Sequence, residues 1–536
     1  MLPVLLAFFL FGSPQAPPGE EECSLDDQSL ERSGAVIGEV TVVPRDVFDP
    51  SDPKENNRLF RLANRLHRDT RERVVRRQLL FAPGDLYSRR LLEESERILR
   101  ANRYFYDATV RPVRCRDGRV DVEVVTRDVW TLNAGAGFSR SGGENTLSFE
   151  VQDTNLFGWG KDLAVEHHET VDRTTDLLRY RDPALAGSRV RLEAWLAERS
   201  DGHLRFLDLQ RPFYALDTRW AAGIQGTQDE REDPLYDLGR EVQRFGHRLE
   251  RFEVFGGRSA GLVGGFARRW TAGFTYRRDR FFPVVGFRPA AGLPEDRTLS
   301  YPWIGFELLE DRFLEEQDLD QIARTEDVAL GLRLNGRLGW SSSALGGDRD
   351  RGLFSAGLRD AWTPGPGRLL LASTGASGRW GSGDVENLIV SGRLRAYWRN
   401  LGQHLLFATL EADLAEDLDR ENQLLLGGDT GLRGYPLRYQ DGDRRVLLTV
   451  EQRFYTDWHV LRLVYLGGAV FFDAGRAWFA GRDDDLGVLK DAGIGLRLSS
   501  SRSGLGAMVH LDLAFPLDGD DTIERVQWLV STRETF

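Results

Sequence analysis

Past its first residues, the chain has no apolar run approaching the ~20 residues that a membrane-spanning helix needs. That excludes a helical membrane protein. It does not exclude a transmembrane β-barrel, whose strands dilute the lipid-facing signal into roughly 10-residue alternating segments. Cysteine is nearly absent: only Cys23 and Cys115 occur, and no histidine is close to either in sequence. No metal site is expected from such a pair. In an oxidising compartment the two could instead form a disulfide tying the N-terminal tail to the next domain. Positive charge is in deficit as well, with a net charge of −12 at pH 7, which argues against nucleic acid as a partner. Lysine appears only at 54, 161 and 490, so the cations are nearly all arginine, a bias from which no function follows. No repeat period is visible, which disfavours a propeller or an array of soluble β-modules.

What the chain does have is glycine, 57 in 536 residues, and a change of pattern near residue 128. Residues 1–16 read as a signal peptide. Leu2–Phe11 is too short to span a membrane and fits a secretory apolar region, and Ser13-Pro14-Gln15-Ala16 offers a small residue for cleavage. No Lys or Arg precedes that run and Pro17 would follow the cut, so a buried strand is the alternative. Residues 17–34 read as a tail. Cys23 is a poor lipidation site because three glutamates precede it.

Residues 35–127 read as a small α/β domain. Val36–Val43 alternates as a strand does, and a polar insertion, Asp49-Pro50-Ser51-Asp52-Pro53, follows it. Thr70 is placed to cap a helix carrying Val74, Val75 and Leu79. Ser88 is placed to cap another carrying Leu91, Leu92, Ile98 and Leu99. Thr109–Val113 and the Val120, Val122, Val124 run, joined at Asp117-Gly118, predict a hairpin.

From 128 to 536 the pattern is one of short alternating segments with aromatics near their ends: Trp130, Tyr214, Trp220, Trp340, Trp380, Trp398, Tyr455, Trp458 and Trp478. The polar runs Gln228–Glu232, Gly346–Arg351 and Glu416–Glu421 are expected in long outer loops, and Pro364-Gly365-Pro366-Gly367 in a short inner turn. A direct count gives nearer 20 strands. Within this region Gly427-Gly428-Asp429-Thr430-Gly431-Leu432-Arg433-Gly434-Tyr435 forms a loop, 421–445, able to fold back tightly. Downstream, Val446, Leu448, Val450 and Phe454 share one parity while Glu451 takes the other. Val470, Phe472 and Ala474 share a face that Asp473 opposes. If the apolar faces meet lipid, both carboxylates point inward, where Arg433 can meet them as a charge-assisted pair.

Enzyme signals are weak. Gly257-Arg258-Ser259-Ala260-Gly261 matches G-x-S-x-G but lies between antiparallel segments, away from any strand-to-helix elbow. His167 and His168 are adjacent on one strand and face opposite ways. His510 and Asp512 share a face with no nucleophile placed to complete a triad. No enzyme activity, cofactor or metal is expected.

GLRGY (431–435) followed by FFDAG (471–475) resembles the loop and strand motifs of the BamA-like outer-membrane assembly and two-partner-secretion transporter superfamily, the bacterial surface antigen family. The segment 35–127 is similar to a single polypeptide-transport-associated (POTRA) domain with a helical insertion after its first strand. Asn155–Lys161 resembles the family's second strand connection. The resemblance implies an α+β periplasmic domain followed by an all-β closed antiparallel transmembrane barrel of 16 strands in the bacterial outer membrane. It implies that Arg433, with Gly434 and Tyr435, locks the loop against Glu451, Asp473 and Gly475, and that terminal Phe536 is an assembly signal. The implied function is insertion or translocation of polypeptides, with a lipid-handling or passive pore protein of the same architecture as the alternative. The implied partners are outer-membrane lipids and an unfolded client received by the POTRA-like domain, with periplasmic chaperones or accessory lipoproteins as further candidates. A weakly closed seam between first and last strands would suit such a role.

Overall fold

A computed structural model describes residues 23, 26–287, 292–381, 383–402, 404–482, 486–503, 508–519 and 523–533. The expected signal peptide and Phe536 lie outside the described residues.

The N-terminal domain is a three-stranded sheet with Arg119–Asp128 in the middle. That strand runs parallel to Val36–Arg45 and antiparallel to Phe105–Arg116, its hairpin partner. The hairpin closes through Asp117 and Gly118, both at positive φ (47° and 73°), as a tight two-residue turn of this hand requires. Val120, Val122 and Val124 alternate onto the covered face and meet Val75, Leu92 and Leu99 from the helices Glu72–Arg76 and Arg89–Arg100. The insertion carries a further helix, Arg58–Leu66. Two capping expectations need correction. Arg71, not Thr70, stands at the cap of Glu72–Arg76, and the Thr70 hydroxyl donates to Asp128 (2.9 Å). Ser88 does precede Arg89–Arg100, but its side chain makes no capping bond. The tail is also more than a tail: Asp26 caps a helix, Asp27–Arg32, whose Leu30 is buried in the domain core. Cys23 and Cys115 are disulfide-bonded, their Cα atoms 4.8 Å apart.

The rest is one closed antiparallel barrel of 20 strands, from Leu132–Ser141 to Gln527–Arg533. The 16 strands implied by the resemblance are therefore corrected, and the direct count stands. Near the start, tight connections at 142–143, 170–173 and 200–201 fold six separate strands of eight to ten residues each. Strand parity sorts the wall. Phe149, Val151, Val165, Leu196, Ile304, Val470 and Leu496 point outward and are exposed, while charged residues line the inside. Exposed tryptophans ring both ends: Trp220, Trp270, Trp362 and Trp398 near the rim facing the small domain, Trp340, Trp380 and Trp528 near the far rim. Tyr455 departs from this belt; it faces the lumen and is buried.

Gln228–Glu232 is not a loop. It lies within the strand Trp220–Asp237, paired along its length with the 24-residue strand Arg240–Val263. Opposite charges stabilise this polar ribbon across the ladder, as where Arg248 donates to Glu230 (2.7 Å). Nor are all the connections on the near side short. The segment 311–332 forms a hairpin there, Phe313–Gln317 with Thr325–Ala329. Among the described residues the barrel closes through a single ladder pair, Val530 opposite Arg140, whereas the preceding pair of strands is in register from Met508–Arg533 to Ala514–Gln527. Stacking of Phe138 on Trp528 (5.9 Å) helps to cover the seam.

The small domain is docked on the near rim. Leu216 N–H donates to Glu94 (2.7 Å), Asn155 to the Thr70 hydroxyl (2.7 Å), and Trp159 receives the guanidinium groups of Arg71 and Arg73 on its ring (4.3 and 3.8 Å). Asn155–Lys161 is thus a docking turn. Burial raises the Glu94 carboxyl above the usual range, against the pull of that N–H and of Arg90.

Candidate functional site

Between Glu416 and Arg444 the chain leaves the far rim and descends into the lumen. A short ladder, Leu424–Leu426 with Gln440–Gly442, holds the two limbs together. Gly431 sits at φ 116°, where a side chain would be strained. Gly434 passes so close to the wall that a Cβ would meet the Asp491 side chain at 2.7 Å. Leu426, Leu432, Tyr435 and Tyr439 pack against Leu447, Ala477 and Leu489 of the wall, which fixes the loop by apolar burial before any charge is considered. Gly475 has room for this loop because it lacks a side chain: a Cβ there would meet Leu426 at 2.9 Å.

This packing leaves Arg433 2% exposed. Its Nε and Nη2 donate to the two oxygens of Asp473 (2.7 and 3.1 Å), and Nη1 donates to Glu451 (3.1 Å) and Asp512 (3.2 Å). The Phe471 ring lies 3.3 Å from the guanidinium carbon. The carboxylates are shared in turn. Arg497 donates to Glu451 (2.9 Å) and Asp512 (2.5 Å), and Arg453 to Glu451 (3.1 Å). Gly434 N–H donates to Asp491 (3.0 Å), and the Tyr435 hydroxyl to the Lys490 carbonyl (2.7 Å). Such a network offsets the desolvation of each charge only as a set, because removing one member leaves a buried partner uncompensated.

Sequence reasoning brought together Arg433, Glu451 and Asp473, and the structure places all three in contact. It missed Asp512 as a third carboxylate, the bridging Arg453 and Arg497, and the Phe471 ring. The signal was available. Arg453, Arg497 and Asp512 each take the inward parity of a strand whose other face is apolar, but parity alone does not say which lumen residues share a depth. The remaining candidates lie elsewhere. Gly257–Gly261 runs within the strand Arg240–Val263, His167 meets Asp176 (2.6 Å) and His168 meets Glu166 (2.9 Å). Among the described residues, His67, Asp69 and Asp128 form a group whose potential metal donors lie within 4.8 Å of one another. Asp128 there already accepts from the Thr70 N–H (2.7 Å) and meets His67 (3.2 Å), a structural use at the domain junction.

Fold and site together define a class: a POTRA domain followed by a closed 20-strand antiparallel barrel with a loop buried in its lumen. Residues 67–127 match the family model POTRA, surface antigen variable number repeat. No curated protein matches the sequence. Among solved structures, the chain is similar to BamA from Haemophilus ducreyi lacking POTRA domains 1–3 (13% identity, 92% of this chain and 85% of that one, TM-score 0.38). It is similar to CdiB from Acinetobacter baumannii (12%, 93% and 73%, 0.47) and CdiB from Escherichia coli (14%, 92% and 76%, 0.45).

Proposed function

We propose that this protein is a bacterial outer-membrane transporter that inserts or translocates polypeptides, its POTRA domain facing the periplasm and receiving the client. The observation that carries this reading is a POTRA domain docked beneath a barrel with an apolar outer belt and a charged interior. The belt suits lipid on the outside, and the charged lumen suits passage or transient holding of polar chain inside. The POTRA sheet ends in the strand Phe105–Arg116, on which Thr109 and Arg111 are exposed; its outward groups at Ala108, Val110 and Val113 are held by Arg100, Glu96 and the Cys23 N–H, so a client pairing with this edge takes the place of those contacts. In this reading the Arg433 network locks the lumen loop, and the one-pair seam is where a client strand enters the wall.

Deleting residues 35–127 tests the assignment. Client delivery to the membrane or medium is expected to stop, while the barrel still shows the heat-dependent gel migration of a folded barrel. Undiminished delivery would overturn it. Solute flux independent of the domain would favour the lipid-handling or passive pore alternative.

A further inference from the structure

The connection 311–332 carries no motif, yet its tip is buried against the lumen wall. Its tip, Asp318–Arg324, turns up under the barrel. Leu319 and Ile322 are buried against the inward side chains Tyr397, Leu405, Phe407 and Tyr455. Arg453 Nη1 and the Tyr455 hydroxyl both donate to the Leu319 carbonyl (2.5 and 3.0 Å), and the Tyr397 hydroxyl donates to Asp320 (3.1 Å). The tip is a bent turn, with Asp318 and Ala323 at positive φ (58° and 56°), and what the wall holds of it is a main-chain carbonyl, an aliphatic side chain and the carboxylate beside it.

The returning side of the same tip, with the strand that follows it, grips the POTRA domain. Arg324 donates to the Phe105 carbonyl (3.0 Å), the Tyr106 hydroxyl to the Ala323 carbonyl, and Arg100 to both oxygens of Asp327 (2.8 and 2.6 Å). Phe105 and Tyr106 begin the sheet-edge strand. One hairpin therefore packs Leu319 and Ile322 against the lumen wall while Ala323, Arg324 and Asp327 on its returning side hold the POTRA domain at the start of its edge strand.

We propose that the hairpin tip is a resident stand-in for a client, and that the wall around Tyr397, Phe407, Arg453 and Tyr455 is a binding site for a polypeptide turn that presents an aliphatic residue next to an acidic one. Release is coupled to arrival, because a chain pairing with the Phe105–Arg116 edge competes for the Phe105 carbonyl that Arg324 holds. This second step rests on the reading of the POTRA domain as client receiver; the binding site does not.

Planar-bilayer conductance of the purified full-length protein tests the site. Two variants are compared with the parent, each first checked for folded-barrel migration: Leu319→Asp, and a replacement of 314–328 by a short Gly-Ser turn. Conductance is expected to rise several-fold in both. A synthetic peptide of residues 316–326 added to the replacement variant should return it toward the parental level, while its scrambled counterpart does not. Should the replacement fail to fold, Leu319→Asp decides alone, with the same peptide as blocker. Parental conductance in the folded variants, or equal block by both peptides, overturns the proposal. The readout needs neither client nor cell, so its failure is distinct from failure of client delivery after deletion of 35–127.

Discussion

Arg433 is held by three carboxylates, but they do not depend on it equally. Glu451 and Asp512 retain Arg497 when Arg433 is removed, whereas Asp473 loses the two-oxygen contact that neutralises it. Arg433→Ala is therefore expected to destabilise the barrel by about 3–5 kcal/mol, the usual cost of breaking a buried pair from one side. Denaturant unfolding in detergent measures this. In double-mutant cycles, coupling to Asp473→Asn should exceed coupling to Glu451→Gln, and equal couplings would show that the bidentate contact is not the main one. Arg433→Lys should recover little, since an ammonium cannot span Asp473 while also reaching Glu451 and Asp512. At this scale the sequence was legible wherever strand parity decided the matter. It was silent on depth, which is why Asp512 was read as a neighbour of His510 and not as a partner of Arg433.

The hairpin carries its own titratable group. Glu326 accepts N–H bonds from Leu319 (2.9 Å) and Gln321 (3.3 Å), and burial, followed by the charge of Asp320, pushes its carboxyl from 4.5 up to about 7. Asp320, Asp327, Arg324 and Arg395 surround it. A tip withdrawn into water would return Glu326 to its ordinary value, so seating takes up a proton between the two values. The resulting stabilisation of the seated tip is complete below the ordinary value and lost as pH rises through about 7. Conductance is expected to increase from about pH 6 to about pH 8, and Glu326→Gln should flatten the profile. The disulfide acts on a different element. With its cysteines 92 positions apart in sequence, it can contribute up to about 4–5 kcal/mol by restricting the unfolded domain. Cys115→Ser is expected to make the Asp27–Arg32 helix susceptible to protease while barrel migration is unchanged. Elements with strong local signals, such as the Val120–Val124 strand and its Asp117-Gly118 turn, could be read directly. Thr70 could not, because its hydroxyl was claimed by Asp128, more than 50 positions away, instead of by the nearest helix.

For the whole molecule the question is where the cylinder can open. All neighbouring strands share extended ladders except the last and first, which meet at Val530 and Arg140 among the described residues. Joining these two positions as cysteines is expected to abolish client delivery under oxidising conditions and restore it on reduction; delivery unaffected by the crosslink would place the opening elsewhere. Strand number was a matter of counting. The alternation showed near 20 segments, and only the analogy suggested fewer. The inward reach of 311–332 was hidden because nothing local marks whether a hairpin lies along a rim or turns beneath it.

Arg453 stands between the two obstructions, one nitrogen on Glu451 of the loop network and another on the Leu319 carbonyl of the hairpin. A single side chain thus belongs to both stoppers at once. Pulling out the lower one strips a neighbour from the acid that grips the upper one, so the two behave as a double-bolted door in which drawing one bolt slackens the other.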